Sequence, residues 1–209
     1  MKNMKKMMVM LFTLIMVMSL AGCGKTGLAS ASLDDDSDRE SSSRDDEKED
    51  SKKSDDVEAY ENQDGTYTYE GRMGSKMETA WFDFTVNDAY YTEDAIDGYT
   101  PSEGNVLVVV DMTIKNTFTQ SIDMYNYDFQ LQWNDDADDA YSFPVETSEK
   151  ILDDQFDAEF SIKVNKEVSG CYVFEAPKGN EDFSISFLEY YEDDTEGDLF
   201  FVYFSADEK

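Results

Sequence analysis

The chain has 209 residues, with 48 acidic against 17 basic side chains and no histidine, which gives a formal net charge of −31. A charge of this sign excludes nucleic acid as a partner, because binding to phosphates needs clustered lysine and arginine. The absence of histidine excludes Ser-His-Asp and Cys-His catalysis and every imidazole metal site.

Residues 1–22 are predicted to form a signal peptide. A lysine-rich start precedes the apolar run Met7–Leu20, which fits a signal h-region and is short for a spanning helix of about 20 residues. The following Leu20-Ala21-Gly22-Cys23 resembles the lipobox of a bacterial lipoprotein. This resemblance implies cleavage between Gly22 and Cys23 and a lipid on Cys23, which would hold the mature chain at the extracellular face of the cell membrane. The alternative is an ordinary secretory signal with an incidental cysteine.

Residues 23–65 are predicted to form a disordered acidic tether. Between Asp34 and Glu58 there are 13 acids, five bases, several serines and one aliphatic residue, Val57. Such a segment buries too little apolar surface to offset the entropy lost on ordering, and its charge favours an extended chain. We interpret it as a spacer between membrane and domain. The alternative is a solvated tail that has no function of its own.

Residues 66–206 change to short alternating apolar and polar runs separated by turn-forming residues, which is typical of successive β-strands. The predicted strands are Phe82–Asn87, Val106–Lys115, Phe129–Trp133, Phe156–Val164, Gly170–Ala176, Phe183–Leu188 and Leu199–Phe204. Leu107 and Val109 make the second strand apolar on both faces, as in a central, covered strand. With no sustained helical stripe, the pattern predicts an all-β, two-sheet sandwich of about seven to eight strands.

Several of these runs carry a family resemblance. They are Trp81–Asn87, Gly98–Asn105, Val110–Thr117, Asp128–Trp133 and Val173–Pro177. In this order they resemble the telokin-like, immunoglobulin-like domain of uncharacterised surface lipoproteins of Gram-positive bacteria. The resemblance covers about residues 66–206 and implies an immunoglobulin-like sandwich. It implies no catalytic residue, because the motifs mark strands and turns.

Two acidic runs, Asn134–Asp139 and Glu192–Asp198, offer several oxygens to Ca²⁺. Neither run meets the EF-hand pattern. We interpret both as turns between strands and predict no metal or cofactor site. Cys171 is the one thiol besides Cys23. A small packed side chain is the prediction for Cys171, and a reactive or intermolecular thiol is the alternative.

Three functions follow from these observations. The first hypothesis is a non-catalytic envelope lipoprotein whose sandwich binds a protein or cell-wall partner, with the charge favouring a basic one. The second is a small-ligand receptor or signalling ectodomain, and the third and weakest is a carboxylate-based hydrolase. Tyrosines at Tyr90–Tyr91, Tyr125, Tyr127 and Tyr190–Tyr191 can contribute an aromatic recognition surface.

Overall fold

The computed structural model of the chain describes residues 57–133 and 140–209, which fold almost entirely into β-strands. The strands are β1 (Glu58–Glu61), β2 (Tyr67–Arg72), β3 (Met77–Glu78), β4 (Phe82–Thr92), β5 (Asn105–Asn116), β6 (Ile122–Tyr125), β7 (Gln130–Trp133), β8 (Tyr141–Ser142), β9 (Glu159–Ile162), β10 (Glu167–Pro177), β11 (Asp182–Tyr190), β12 (Glu196–Ser205) and β13 (Asp207–Glu208). A 3₁₀ turn, Asn126–Asp128, links β6 to β7. Within these described ranges no helix is long and apolar enough to cross a membrane.

Two sheets form the sandwich that the alternation predicts. The larger has the strand order β1-β2-β12-β11-β7-β8, and the second has the order β10-β5-β4-β13 with β3 added beside β4. β6 and β9 form a separate two-stranded ribbon. Neighbouring strands run antiparallel except for β2 beside β12 and β4 beside β13, which are parallel. The all-β sandwich fold is thereby confirmed.

The main core lies between the two sheets because each strand turns its apolar residues to the same side. On β5 the inward residues Val106, Val108, Val110, Met112 and Ile114 are at most 2% exposed. Aromatic side chains fill the space opposite, with the Phe84 and Phe129 ring centroids 5.3 Å apart.

β5 is also covered on its outer face, as its sequence predicts. Leu107 and Val109 are 0% and 1% exposed and belong to a second apolar cluster with Ile151, Cys171 and Val173. The cover comes from the loop after β8, whose Val145 N–H donates to the Val173 carbonyl at 2.8 Å. The outer face of this sheet is therefore only partly open to solvent.

The predicted strand Phe156–Val164 is wrong over most of its length. Only Glu159–Ile162 is a strand, Val164 is exposed, and Phe156 lies in a loop. The loop runs along the edge of β10, where the Phe156 N–H donates to the Cys171 carbonyl and the Cys171 N–H donates to the Asp154 carbonyl. Gly170 permits this approach, since a Cβ there would lie 2.6 Å from the Asp154 carbonyl oxygen.

The predicted boundary between tether and domain at residue 65 also needs correction. β1 pairs antiparallel with β2, from Glu58 opposite Glu70 to Glu61 opposite Tyr67. Val57 packs against the main core. The folded domain therefore includes residues 57–65, because the backbone of β2 offers an edge that these residues pair with. The rest of the predicted signal peptide and tether, residues 1–56, lies outside the described residues.

Candidate binding surfaces

The predicted lipidation and cleavage residues, Cys23 and Gly22, lie outside the part of the chain that the structure describes, and so does the acidic run Asn134–Asp139. The second acidic run, Glu192–Asp198, covers the turn between β11 and β12 and the first three residues of β12. There the Asp193 carboxylate accepts hydrogen bonds from the Thr195 hydroxyl at 2.6 Å and the Thr195 N–H at 3.3 Å. These bonds lower the pKa of Asp193, and they are the ordinary chemistry of an aspartate turn.

Cys171 is fully buried on β10, in agreement with the prediction of a packed side chain. Its Sγ lies 3.6 Å from Asp154 Oδ1, and the possible ligand atoms of Cys171, Asp154 and Asp111 lie within 4.8 Å of one another. Burial, followed by the charges of the two carboxylates, raises the pKa of the Cys171 thiol to about 12. A metal ion bound here would first have to displace that proton, so the cluster favours a protonated, unreactive thiol.

Two carboxylates, one buried and one partly buried, hold the ends of strands together. Glu189, which is 3% exposed, accepts from the Ala80 N–H at 2.6 Å, the Tyr191 hydroxyl at 3.0 Å and the Asp198 N–H at 3.3 Å. Donors before β4, in the turn after β11 and on β12 thus satisfy the oxygen atoms of this buried side chain. Its role is to join the start of β4 to the turn between β11 and β12.

Glu175 on β10 plays the same part for the loop before β5. Its carboxylate accepts from the Tyr99 hydroxyl and the Asn105 amide, each at 2.8 Å, and from the Ser102 N–H at 3.2 Å. Partial burial opposes the charge, but these hydrogen bonds outweigh it and lower the pKa of Glu175. The Gly98–Asn105 motif therefore marks a structural loop whose anchor is this carboxylate.

Asp128 is the carboxylate with the most strongly raised pKa, about 6, because burial disfavours its charge. Its Oδ2 accepts the Tyr125 N–H at 2.7 Å and so caps the 3₁₀ turn. A general acid in a hydrolase would have such a pKa. In Asp128, however, one oxygen is committed to the backbone, which gives the raised pKa a structural cause.

The predicted tyrosine surface is dispersed over the domain. Tyr125 and Tyr127 stack beside the 3₁₀ turn with ring centroids 5.2 Å apart. Tyr191 instead packs against Trp81, also at 5.2 Å, and the Lys209 ammonium lies over the Tyr90 ring at 3.9 Å. These residues do not share one recognition site.

A different set of tyrosines and acids does share a face. We call Glu58, Tyr60, Glu70 and Tyr203 the β1 surface, since strand register places them side by side across β1, β2 and β12. The Tyr60 hydroxyl donates to Glu58, and the Tyr203 hydroxyl donates to Glu70 Oε1 at 3.3 Å. Burial and then the Glu70 charge raise the pKa of Tyr203 to about 12. Sequence reasoning missed this surface because its members lie up to 145 positions apart, as Glu58 and Tyr203 do.

β1 is an open edge. All four of its residues are exposed, and its backbone pairs with β2 on one side, with no strand on the other among the described residues. Arg72 lies on the same face, directly opposite Tyr203 in the pairing of β2 with β12. The two charged side chains of β1 itself, Glu58 and Glu61, are both acidic.

A cleft of about 370 Å³ lies elsewhere on the domain. The segment 144–150 forms one wall, the segment 155–158 forms the other, and Asn126 and Tyr172 complete the lining. The walls hold more carboxylates than cations, and Lys150 is already paired with Asp157 at 3.0 Å.

The alternating strands and two packed sheets define a β-sandwich protein. Residues 71–196 match the model of DUF4352, a domain of unknown function, and the chain therefore belongs to this family. None of the curated proteins matches the sequence.

Solved structures include several similar chains. A candidate lipoprotein of Bacillus subtilis (ycdA) is 17% identical with a TM-score of 0.47, and the match covers 63% of this chain and 38% of that one. A β-sandwich protein of Clostridium difficile is 16% identical with a TM-score of 0.40, covering 65% and 93%. A candidate lipoprotein of Staphylococcus aureus is 11% identical with a TM-score of 0.45, covering 73% and 97%. The present chain thus spans less than half of the ycdA protein.

Proposed function

We propose that this protein is a non-catalytic lipoprotein of the cell envelope, anchored by a lipid on Cys23, whose β-sandwich binds an extended basic partner at the β1 surface. The observation that carries the proposal is the open edge of β1, flanked by carboxylates and tyrosines. An extended segment can add to such an edge through main-chain hydrogen bonds, as in β-strand addition.

The side chains of the β1 surface suit a basic partner. Glu58 and Glu70 lie opposite each other in the β1–β2 pairing, where two like charges repel and a cation from a partner would relieve the repulsion. Tyr60 is 47% exposed and Tyr203 is 37% exposed, so both rings offer contact area. Complementary charge steers association and weakens as salt screens it.

A binding role is also supported by the structural roles of the buried carboxylates and the thiol, which are the candidate reactive groups of the domain. Glu175 and Glu189 are committed to hydrogen bonds that join loops, and Asp128 caps a turn. The chain has no histidine, and the Cys171 thiol is protonated at neutral pH. These groups serve the fold rather than a reaction.

The test of partner binding uses a labelled peptide of alternating lysine and valine and the purified chain. We expect binding at low salt that weakens as NaCl is added, and loss of binding in the double variant Glu58→Lys/Glu70→Lys. The control Glu103→Lys/Glu181→Lys makes the same change in net charge at exposed positions outside the β1 surface. Equal loss in both variants, or binding that salt does not affect, would contradict the proposed site.

The anchor is tested separately. Cys23→Ser should leave the protein unprocessed or release it to the medium, because one thioether is expected to carry the diacylglycerol. Mass spectrometry of membrane-extracted protein reports the state of Cys23 directly. A free thiol on Cys23 in the mature protein would rule out the lipid anchor without affecting the peptide experiment.

A further inference from the structure

The β6–β9 ribbon and the 3₁₀ turn after β6 carry an aromatic pair at the surface. The rings of Tyr125 and Tyr127 stack with their planes 11° apart, so one face of the Tyr127 ring is covered. Tyr127 is nevertheless 59% exposed, more than any other aromatic residue of the described ranges. The stack therefore holds this ring in place and leaves its outer face accessible to a partner.

A carboxylate lies beside the aromatic pair. In the antiparallel pairing of β6 with β9, Tyr125 lies opposite Glu159, and residues paired in this way point to the same face with Cβ atoms about 5 Å apart. The Glu159 charge is the largest cause of the raised pKa of Tyr125. After burial and two nearer groups, it also raises the pKa of Tyr127. The negative charge thus acts on both rings.

The carboxylates of this face are not neutralised. Glu159 and Asp123 are exposed, and neither forms an ion pair with a described residue. The basic residue nearest to Glu159 in the sequence, Lys163, lies four positions away, which is about 13 Å along extended backbone. The Ser161 hydroxyl donates to Asp123 at 2.5 Å and orients that carboxylate. The face therefore combines an open aromatic ring with uncompensated negative charge.

The domain already binds a cation of its own on a tyrosine. The Lys209 ammonium lies 3.9 Å from the centroid of the Tyr90 ring, held by the attraction of a positive charge to the electron-rich ring face. Among the described residues no cation occupies Tyr127 in this way. A single exposed tyrosine is ordinary on a protein surface, but a ring fixed by stacking beside free carboxylates has the two features that attract a cation.

The flat ring favours one cation over the others. A guanidinium group is planar and weakly hydrated, so it can stack on a tyrosine face, whereas an ammonium group is compact and keeps its water. We propose that Tyr127, supported by Tyr125, binds an arginine side chain of a partner protein, whose guanidinium stacks on the outer ring face while Glu159 and Asp123 supply the opposite charge. This site is separate from the β1 surface and does not depend on it.

The experiment titrates the purified chain with two capped tripeptides, one with arginine between two glycines and the other with lysine in its place. NMR signals of the Tyr125 and Tyr127 rings report binding. We expect both rings to shift, with the arginine peptide binding about twofold to fivefold more tightly than the lysine peptide, and both affinities to fall as NaCl is added. Equal affinities for the two peptides, or binding that salt does not affect, would overturn the proposal.

Two variants locate the site. Tyr127→Leu keeps an apolar side chain but removes the ring face, so it should weaken binding of the arginine peptide about twofold to fivefold and abolish the preference over lysine. Glu159→Gln should weaken binding of both peptides. Both changes are at exposed positions, so the core is left intact.

The matched controls are Tyr190→Leu and Glu103→Gln, which make the same kinds of change at exposed positions elsewhere on the domain. Both should leave the affinity for the arginine peptide unchanged. An unchanged affinity in Tyr127→Leu, or an equal loss in the controls, would contradict the site. Neither result would alter the outcome of the lysine–valine peptide experiment with the charge-reversed variants of the β1 surface.

Discussion

The two faces of one strand show how strongly single residues determine this fold. Val110 is fully buried between the sheets, whereas Thr113 is half-buried on the opposite face of β5. Val110→Asp buries a charge without a partner and should lower the free energy of unfolding by more than about 3 kcal/mol.

Thr113→Asp is the matched control, with an expected effect within about 1 kcal/mol. The Thr113 hydroxyl accepts from the Asn87 amide at 2.9 Å and lies 3.0 Å from the Ser169 hydroxyl, and a carboxylate can accept from both groups. Urea unfolding of the two variants measures the difference. Equal destabilisation would mean that the faces of β5 are assigned incorrectly.

Asp128 links a single residue to the pH dependence of stability. Its pKa is about 6 in the folded domain against an ordinary 3.8, so the folded state binds more protons than the unfolded state between these values. Stability from this group is therefore fully present below about pH 4 and falls as the pH rises through 6.

Asp128→Asn should remove that loss and still accept the Tyr125 N–H. We expect the variant to gain about 3 kcal/mol over the original chain at pH 7 and to lose this advantage near pH 4. Urea unfolding at a series of pH values gives the comparison. A difference that stays constant across the series would show that folding does not shift the pKa of Asp128.

Among the elements, β1 provides the sharpest test of where the domain begins. A chain that starts at Thr66 loses the β1–β2 pairing and the contact of Val57 with the core. Because β1 itself is exposed, we expect a moderate loss of about 1–2 kcal/mol, mostly from backbone hydrogen bonds. A chain that starts at Val57 is the control. If the two chains have the same melting temperature, β1 adds no stability, and the folded domain begins after residue 65 as the sequence predicts.

Alternation in the sequence predicted the elements that carry the core, and it failed where strands lack a buried face. β4, β5, β10, β11 and β12 were recognisable because every second residue is apolar. β1 has four exposed residues and follows an acidic run, so only its pairing with β2 reveals it. Phe156 looked like part of a strand because a partly buried loop residue contributes the same apolar signal.

The β1 surface depends on contacts that no local pattern contains. Tyr203 and Glu70 are 133 positions apart, and they meet only because β12 lies parallel to β2. Tyr172 is predictable as a core residue from the alternation of β10. Composition did predict the acidic character of the β1 surface, because acids outnumber bases across the chain.

At the scale of the whole molecule, uncompensated negative charge is the dominant feature. The chain carries 48 acids against 17 bases, and the described residues contain ion pairs around only three lysines, Lys76, Lys150 and Lys178. Most carboxylates therefore repel one another at the surface. Folding brings them closer together, so repulsion opposes the compact state.

Added salt should consequently stabilise the domain, because screening reduces repulsion more in the compact state than in the expanded one. We expect the melting temperature to rise as NaCl is raised from about 10 mM, where the Debye length is about 30 Å, to 0.15 M, where it is about 8 Å. Calorimetry in CaCl₂ and MgCl₂ at matched ionic strength is the control. An additional stabilisation by Ca²⁺ alone would point to a specific site in the acidic turns. A melting temperature that falls with NaCl would show instead that attraction between opposite charges outweighs repulsion between like charges in the folded domain.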